Sequence, residues 1–362
     1  VGDVTRMTFV LEQHLGHQTY ALNLRKAIDA DPSVDARWIP IEYAPSGRWW
    51  DRPPVPGPVR SIMRCRATIA AGLAADGARR DDGRVFNTQV PAVIGGRRAR
   101  DRPYVCVTDV TPLQYDAMAV AYGHRPDTGP ARWLKHRWNR HVLARATRCV
   151  GWSTFVASSL RDDYGIDPDR IDVVPPGVDT DVWRAAPRTH DGPVRILFVG
   201  ADFVRKGGPD LLQAFGMLDP SRAVLELVTK TPIERRDGIR VHDDLGPNDP
   251  RLIELFAASD VFVLASHAEA FGIAAAEASA TGMPVIATRV GGLVDIVDDG
   301  RTGFIVEPGA PAELAGHLRR LVDDPELRRR LGAAARDRAC RHFDARTNAR
   351  RLIEIARTSF TG

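Results

Sequence analysis

The sequence predicts two α/β domains of the doubly wound kind, each a parallel sheet with helices on both faces. Three observations predict it. Short apolar runs alternate with helical stretches of roughly 10–15 residues through the N-terminal half, the mark of βαβ units. The alternation stops at a proline-containing connector without periodicity and then restarts. A chain of 362 residues also exceeds what one hydrophobic core ordinarily organises.

In chain order, strands are expected at TFVLE (8–12), ARWIPIE (36–42), GRVFNTQ, YVCVTD (104–109), TRCVGWS (147–153) and DVVP (172–175). Helical patterns lie between them: TYALNLRKAID, VRSIMRCRATIAAGLA, ARWLKHRWNRHVLARA and VASSLRDDYG. PPGVD (175–179) is a turn and RAAPRTHDGP (184–193) the connector. The second series holds strands VRILFVG (194–200), AVLELVT (223–229), GIRVHD, VFVLAS (261–266) and PVIAT (284–288). Helices DLLQAFGML and RLIELFAAS fall among them, and helices run from there to the end. The expected division is 1–184, a linker at 185–193, a second domain at 194–345, and a last helix at 346–362 that can pack on either domain. Ligands of such sheets bind beyond the carboxyl ends of the strands, and pockets favour domain interfaces.

Composition narrows the function. Apolar residues make up 44% and charged residues 27%, as in ordinary globular protein. The net charge of +4 is too weak to argue for nucleic acid. Cys65, Cys106, Cys149 and Cys340 are scattered, with no C-x-x-C pair, and read as reduced thiols of a cytoplasmic protein. No signal-like opening and no apolar run of about 18 residues is present, so the expectation is at most a peripheral membrane contact. The base composition implied by the Ala, Arg, Asp and Gly excess suggests a bacterial gene. HLGHQT (14–19) and GADFVRKGG (200–208) lack the G-x-G-x-x-G of nicotinamide binders, and no G-K-[ST] phosphate loop exists.

Two segments of the second half carry chemistry. GADFVRKGG follows an apolar strand and sets Arg205 and Lys206 beside paired glycines; it reads equally as an exposed basic turn or as a loop that holds a diphosphate. EAFGIAAAE (269–277) leaves VFVLAS and enters a strong helix former, with Glu269 on the loop and Glu277 in the helix. Gly272 leaves the N–H groups of the helix start open to phosphate oxygens, and the two carboxylates can accept hydrogen bonds from sugar hydroxyls. Taken alone, the pair reads more simply as a solvated Glu277 and a dipole-favoured Glu269. The glycines Gly291, Gly292 and Gly303 downstream read as tight turns on the rim of a cleft.

These residues resemble those of a known family. The run S-x-x-E-A-F-G-x-x-x-x-E-A-x-A-x-G-x-P-V-I-A-T-x-V-G-G (266–292) is similar to the signature of the retaining glycosyltransferases of family four. So are FVG-x-x-x-x-x-K-G (198–207), YGI-x-x-x-x-I-x-V-V-P-x-GVD (164–179) and DG-x-TGF-x-V-x-PG (299–309). The likeness runs from about residue 150 onward; the N-terminal half matches through Gly16 and the following helix.

The resemblance implies two Rossmann-like domains facing a cleft, the GT-B architecture, with a nucleotide-sugar donor on the C-terminal domain and an acceptor on the N-terminal one. It implies that Glu269 contacts the donor sugar and Glu277 the ribose. The Phe271, Gly272 and Ile273 backbone would then line sugar and phosphate, with Lys206, Arg205 and Gly16 completing the donor site. UDP is expected before GDP as the carrier. The reaction implied is glycosyl transfer to a hydroxyl with retention, by front-face departure and attack. No metal or other cofactor is expected, since side-chain cations and helix termini can stabilise the leaving diphosphate.

The chain departs from the family pattern at two places. Ala201 stands where relatives carry an arginine, so Arg205 either replaces that charge or leaves it to Lys206 alone. Relatives carry a histidine in a His-Asp pair after an N-terminal strand; here the residues are Thr108 and Asp109. Asp109 reads evenly as a catalytic, polarising residue or as a helix N-cap. His17 and His124 are further candidates for that role, each read first as an ordinary surface or loop histidine. Asp179 and Asp181 in DTD read as a turn rather than a metal site. ARWLKHRWNRHVLARATR (131–148), with RRARDR (97–102) and RWWDR (48–52), is basic and aromatic. It reads first as an amphipathic helix with outward arginines and second as a face for anionic lipid. Two other functions stay open: a sugar-nucleotide epimerase in the same cleft, and a non-catalytic sugar-nucleotide binder.

Overall fold

The computed structural model describes residues 4–13, 16–43, 45, 47–75, 80–184, 192–234 and 236–360. The expected linker, apart from its last two residues, lies outside them. The chain forms two compact units, one of residues 1–117, 125–177 and 346–362, the other of 118–124 and 178–345.

In the first unit, β1 (Thr5–Glu12), β2 (Val34–Ile41), β3 (Gly83–Asn87), β4 (Tyr104–Thr108), β5 (Arg148–Gly151) and β6 (Ile171–Val173) form one sheet in the order β2-β1-β3-β4-β5-β6. Every pairing is parallel. The helices include α1 (Gly16–Asp29), α2 (Gly57–Ala74), α3 (Gln89–Ile94), α4 (Pro112–Ala117), α5 (Gly129–Arg145) and α6 (Thr154–Asp162). β3 and β4 are buried along their whole length, as strands covered on both faces must be. Their core holds Val10, Phe86, Cys106, Val142, Cys149 and Val156. GRVFNTQ is not strand to its end. Thr88 caps α3, its Oγ1 accepting from the Val90 N–H at 3.2 Å, so the strand stops at Asn87.

In the second unit, β7 (Val194–Val199), β8 (Ala223–Val228), β9 (Ile239–His242), β10 (Val261–Leu264), β11 (Val285–Thr288) and β12 (Gly303–Val306) order as β12-β11-β10-β7-β8-β9, again all parallel. Around them lie α7 (Gly208–Phe215), α8 (Pro250–Ala258), α9 (Ile273–Ala280), α10 (Leu293–Ile296), α11 (Pro311–Asp323) and α12 (Pro325–His342). β12 corrects the reading of Gly303 as a turn. The glycine opens a strand, and a Cβ there would stand 1.8 Å from the Val285 carbonyl oxygen. It serves close approach of β11 and β12. α13 (Ala345–Phe360) returns, from Arg346 onward, to the first unit. There the Arg357 guanidinium donates to Ser33 Oγ at 2.8 Å and to Thr5 Oγ1 at 3.2 Å, and Asn348 donates to the Pro175 carbonyl at 3.1 Å.

Each strand order reverses once. β1 lies between β2 and β3, and β7 lies between β8 and β10. At such a reversal the loops leaving adjacent strands diverge to opposite faces and open a crevice at the carboxyl ends.

Candidate functional site

The reversal of the second sheet brings together two segments singled out in the sequence. β7 leads through residues 200–207 into α7, and its neighbour β10 leads through 265–272 into α9. The two loops touch. Gly207 has φ +76°, and a Cβ there would come within 1.8 Å of the Ala265 carbonyl oxygen. The backbone N–H of His267 donates to the Arg205 carbonyl at 2.9 Å.

Lys206 and Glu269 meet across this contact. Lys206 Nζ donates to Glu269 Oε2 at 2.9 Å, with side chains only 17% and 10% exposed. Ser266 Oγ donates to the same oxygen at 3.3 Å. Gly272 adopts φ +97° and caps α9, a left-handed turn that glycine makes at least cost. Phe271 buries its ring against Phe343, centroids 6.0 Å apart, so its side chain is withdrawn into the core. Ile273 opens α9, half-buried. Gly292 in the loop after β11 donates to the Ala270 carbonyl at 3.1 Å and joins a third loop to the group.

Glu277 is buried in α9 rather than solvated. Burial pushes its carboxyl up to about 8, while the Lys206 ammonium pulls the other way. Lys206 thus stands within electrostatic reach of both carboxylates. A carboxyl of raised pKa beside a cation, at the reversal of a parallel sheet, marks a functional site on physical grounds.

Arg205 is committed elsewhere. Its guanidinium donates to Asp202 Oδ2 at 3.0 Å and to the Ala268 carbonyl at 2.9 Å, and it lies over the Tyr122 ring at 4.6 Å. It locks the two loops together.

Asp109 and Gly16 belong to the first unit. Asp109 Oδ2 lies 3.2 Å from His17 Nε2. The N-cap reading of Asp109 gives no account of this pair, and the reading of His17 as an ordinary surface residue is corrected. A histidine in the first turn of α1 faces an aspartate after β4. The sequence signal was present in G-H at the helix start, but the partner is 109 − 17 = 92 residues away. Thr108 Oγ1 faces Gln89 Oε1 and the Val110 carbonyl, both within the first unit. In DTD, the Asp179 carboxylate accepts from the N–H of Asp181 at 3.2 Å, a local turn contact.

α5 carries the basic, aromatic pattern. Trp133 and Trp138 are 61% and 44% exposed, with Leu134 exposed between them. The Arg137 guanidinium lies over the Trp133 ring at 5.4 Å, and Lys135 pairs with Asp116 and Asp127, each at 3.1 Å. Among the described residues no helix is long and apolar enough to cross a membrane.

Two family models match the chain in succession: "Glycosyltransferase Family 4" over residues 16–182 and "Glycosyl transferases group 1" over 179–338. Among curated proteins, the chain is 36% identical over 249 residues to the D-inositol 3-phosphate glycosyltransferase of Frankia alni, covering 61% of this chain and 60% of that one. It is 34% identical over 267 residues to the MMP alpha-(1->4)-mannosyltransferase of Mycolicibacterium hassiacum, covering 65% and 64%. The chain thus spans about 60% of the length of the first of these relatives. Among solved structures, the sucrose-phosphate synthase of Thermosynechococcus elongatus superposes with TM-score 0.78 at 19% identity, over 99% of both chains. Anabaena HepE in complex with UDP-glucose superposes with TM-score 0.71 at 18% identity, over 98% and 99%. These likenesses establish the two-domain GT-B fold.

Proposed function

The chain belongs to the group 1 glycosyl transferases, and on that premise we propose that it moves a glycosyl group from a nucleoside diphosphate sugar to an acceptor hydroxyl with retention of configuration. The observation that carries the reading is the meeting of Lys206, Glu269 and Glu277 at the reversal of the second sheet.

In this reading the diphosphate draws Lys206 from Glu269 and lies over the start of α9. Glu269 then accepts from hydroxyls of the donor sugar, and Glu277 from the ribose. As the glycosyl bond lengthens, negative charge grows on the leaving diphosphate. Lys206 and the N–H groups around Phe271, Gly272 and Ile273 stabilise that charge more than the ground state, which lowers the barrier. We assign this role to them rather than to a metal ion. Arg205 acts indirectly, by holding the two loops in register. UDP is the proposed carrier, in keeping with the UDP-glucose of the HepE complex. Gly16 is assigned to the donor side, as the resemblance implies, and Asp109 to the acceptor side.

Thermal-shift titration with UDP, GDP, ADP and TDP tests the reading. One nucleotide, UDP as we expect, raises the unfolding temperature of the native chain, and Glu277→Ala loses most of that rise. The absence of any rise at millimolar nucleotide sinks the donor site.

A further inference from the structure

The carboxyl ends of the first sheet gather a polar cluster of their own. Glu12 closes β1, Asn87 closes β3, Asp109 follows β4, and His17 stands in the first turn of α1. His17 Nε2 faces Asp109 Oδ2 at 3.2 Å, and its Nδ1 lies 3.4 Å from Asn87 Nδ2. Glu12 Oε2 accepts from Thr88 Oγ1 at 2.6 Å. The Trp152 ring walls the imidazole at 5.1 Å between centroids.

Asn87 carries the second observation. Its side chain is completely buried, yet its Oδ1 has no hydrogen-bond partner among the described residues. A half-turn of the amide exchanges Nδ2 and Oδ1. In one orientation the amide donates to a neutral imidazole; in the other it accepts from the Nδ1–H of an imidazolium whose Nε2–H already serves Asp109. Asn87 and Asp109 therefore accommodate either charge state of His17.

Burial and the positive end of α1 both disfavour an imidazolium here. His17 is nevertheless raised above its ordinary value. Burial works against the charge, but the Asp109 charge and hydrogen bond, with Glu12 behind them, more than offset it. Among the described residues, the groups facing the imidazole are Asp109 after β4, Glu12 from β1, Asn87 from β3 and the Trp152 ring.

We propose that His17 is the group of the first unit that engages a hydroxyl of a neutral polyol acceptor, as an imidazolium whose Nε2–H is held by Asp109 and whose Nδ1–H turns from the Asn87 amide to the hydroxyl oxygen, and that Asp109 acts through it as a positioning residue. The proposal rests on the transfer reading above. The acceptor class follows from the charges. Two carboxylates take up hydroxyl protons, whereas a phosphate at the same place would face Asp109 and Glu12 with, among the described residues, His17 as the cation between them.

The test uses the full chain with 15N-labelled histidine side chains, followed by NMR across pH, with His17→Gln to identify the resonance. His17 is expected to titrate above 6.5, and Asp109→Asn to lower that value by about one unit or more. Millimolar myo-inositol is expected to shift the His17 resonance, and inorganic phosphate is not. In transfer assays with the carrier found by the nucleotide screen and myo-inositol as acceptor, kcat/KM for the acceptor should fall as pH rises through the His17 value. Asp109→Asn should move that fall to lower pH. His17→Gln should abolish it and raise the acceptor KM more than tenfold, while nucleotide stabilisation stays unchanged. A folded Asp109→Asn variant with an unmoved His17 titration overturns the proposal, as does a His17 resonance indifferent to myo-inositol or a stronger response to phosphate. Failure of every nucleotide to stabilise the wild-type chain would instead overturn the transfer reading, because the NMR arm requires no donor.

Discussion

Glu277 shows what a single buried carboxyl does to both stability and binding. Its value in the folded chain, about 8, lies above the ordinary 4.5, so folding favours its protonated form. The sign of the pH dependence follows. The stability associated with this group is complete below 4.5 and is lost as pH rises through about 8. Glu277→Gln, which cannot ionise, is expected to unfold at nearly the wild-type temperature around pH 4.5 and at a higher temperature at pH 9; an equal gap at both would contradict the burial argument. Lys206 limits the effect by holding positive charge nearby. Arg205 illustrates the opposite case. The sequence left it open as a diphosphate ligand, but Asp202, the Ala268 carbonyl and the Tyr122 ring engage its guanidinium. The cationic role in the proposed reaction then rests on Lys206. No local pattern foretold this, since Tyr122 and Ala268 come from distant parts of the chain.

At the level of elements, apolar periodicity located most strands and helices because it reports a buried face directly. It failed where a cap or a close approach overrode the pattern. Thr88 ends β3 and starts α3, so Gln89 is helical. Gly303 resembles a turn glycine until the neighbouring strand is in place. α5 poses a different question, since its exposed Trp133, Leu134 and Trp138 lie among arginines. Aromatic and cationic side chains of this kind partition together into the interface of anionic membranes. The expected outcome is co-sedimentation of the full chain with phosphatidylglycerol vesicles but not with phosphatidylcholine vesicles, weakened at least severalfold in a Trp133→Ala, Trp138→Ala double variant. Equal binding to both vesicles, or to neither, would leave α5 as a solvated helix face.

The whole molecule comprises two units with separate sheets and cores, so its unfolding need not be a single two-state event. Calorimetry is expected to resolve two transitions. The stabilising nucleotide should shift the one belonging to residues 178–345, because a ligand stabilises only what it binds in folded form. Movement of both transitions by the same amount would contradict a donor site carried mainly by the second unit. The sequence by itself determined the two α/β units, the loops that carry Lys206 and Glu269 and the helix that carries Glu277, because burial periodicity and short contiguous motifs are written locally. Only the tertiary structure decided the strand orders, the return of α13 to the first unit, the commitment of Arg205, and the pairing of His17 with Asp109. Those depend on which strand ends lie side by side, and parallel crossovers bring together residues whose separation along the chain carries no local signal.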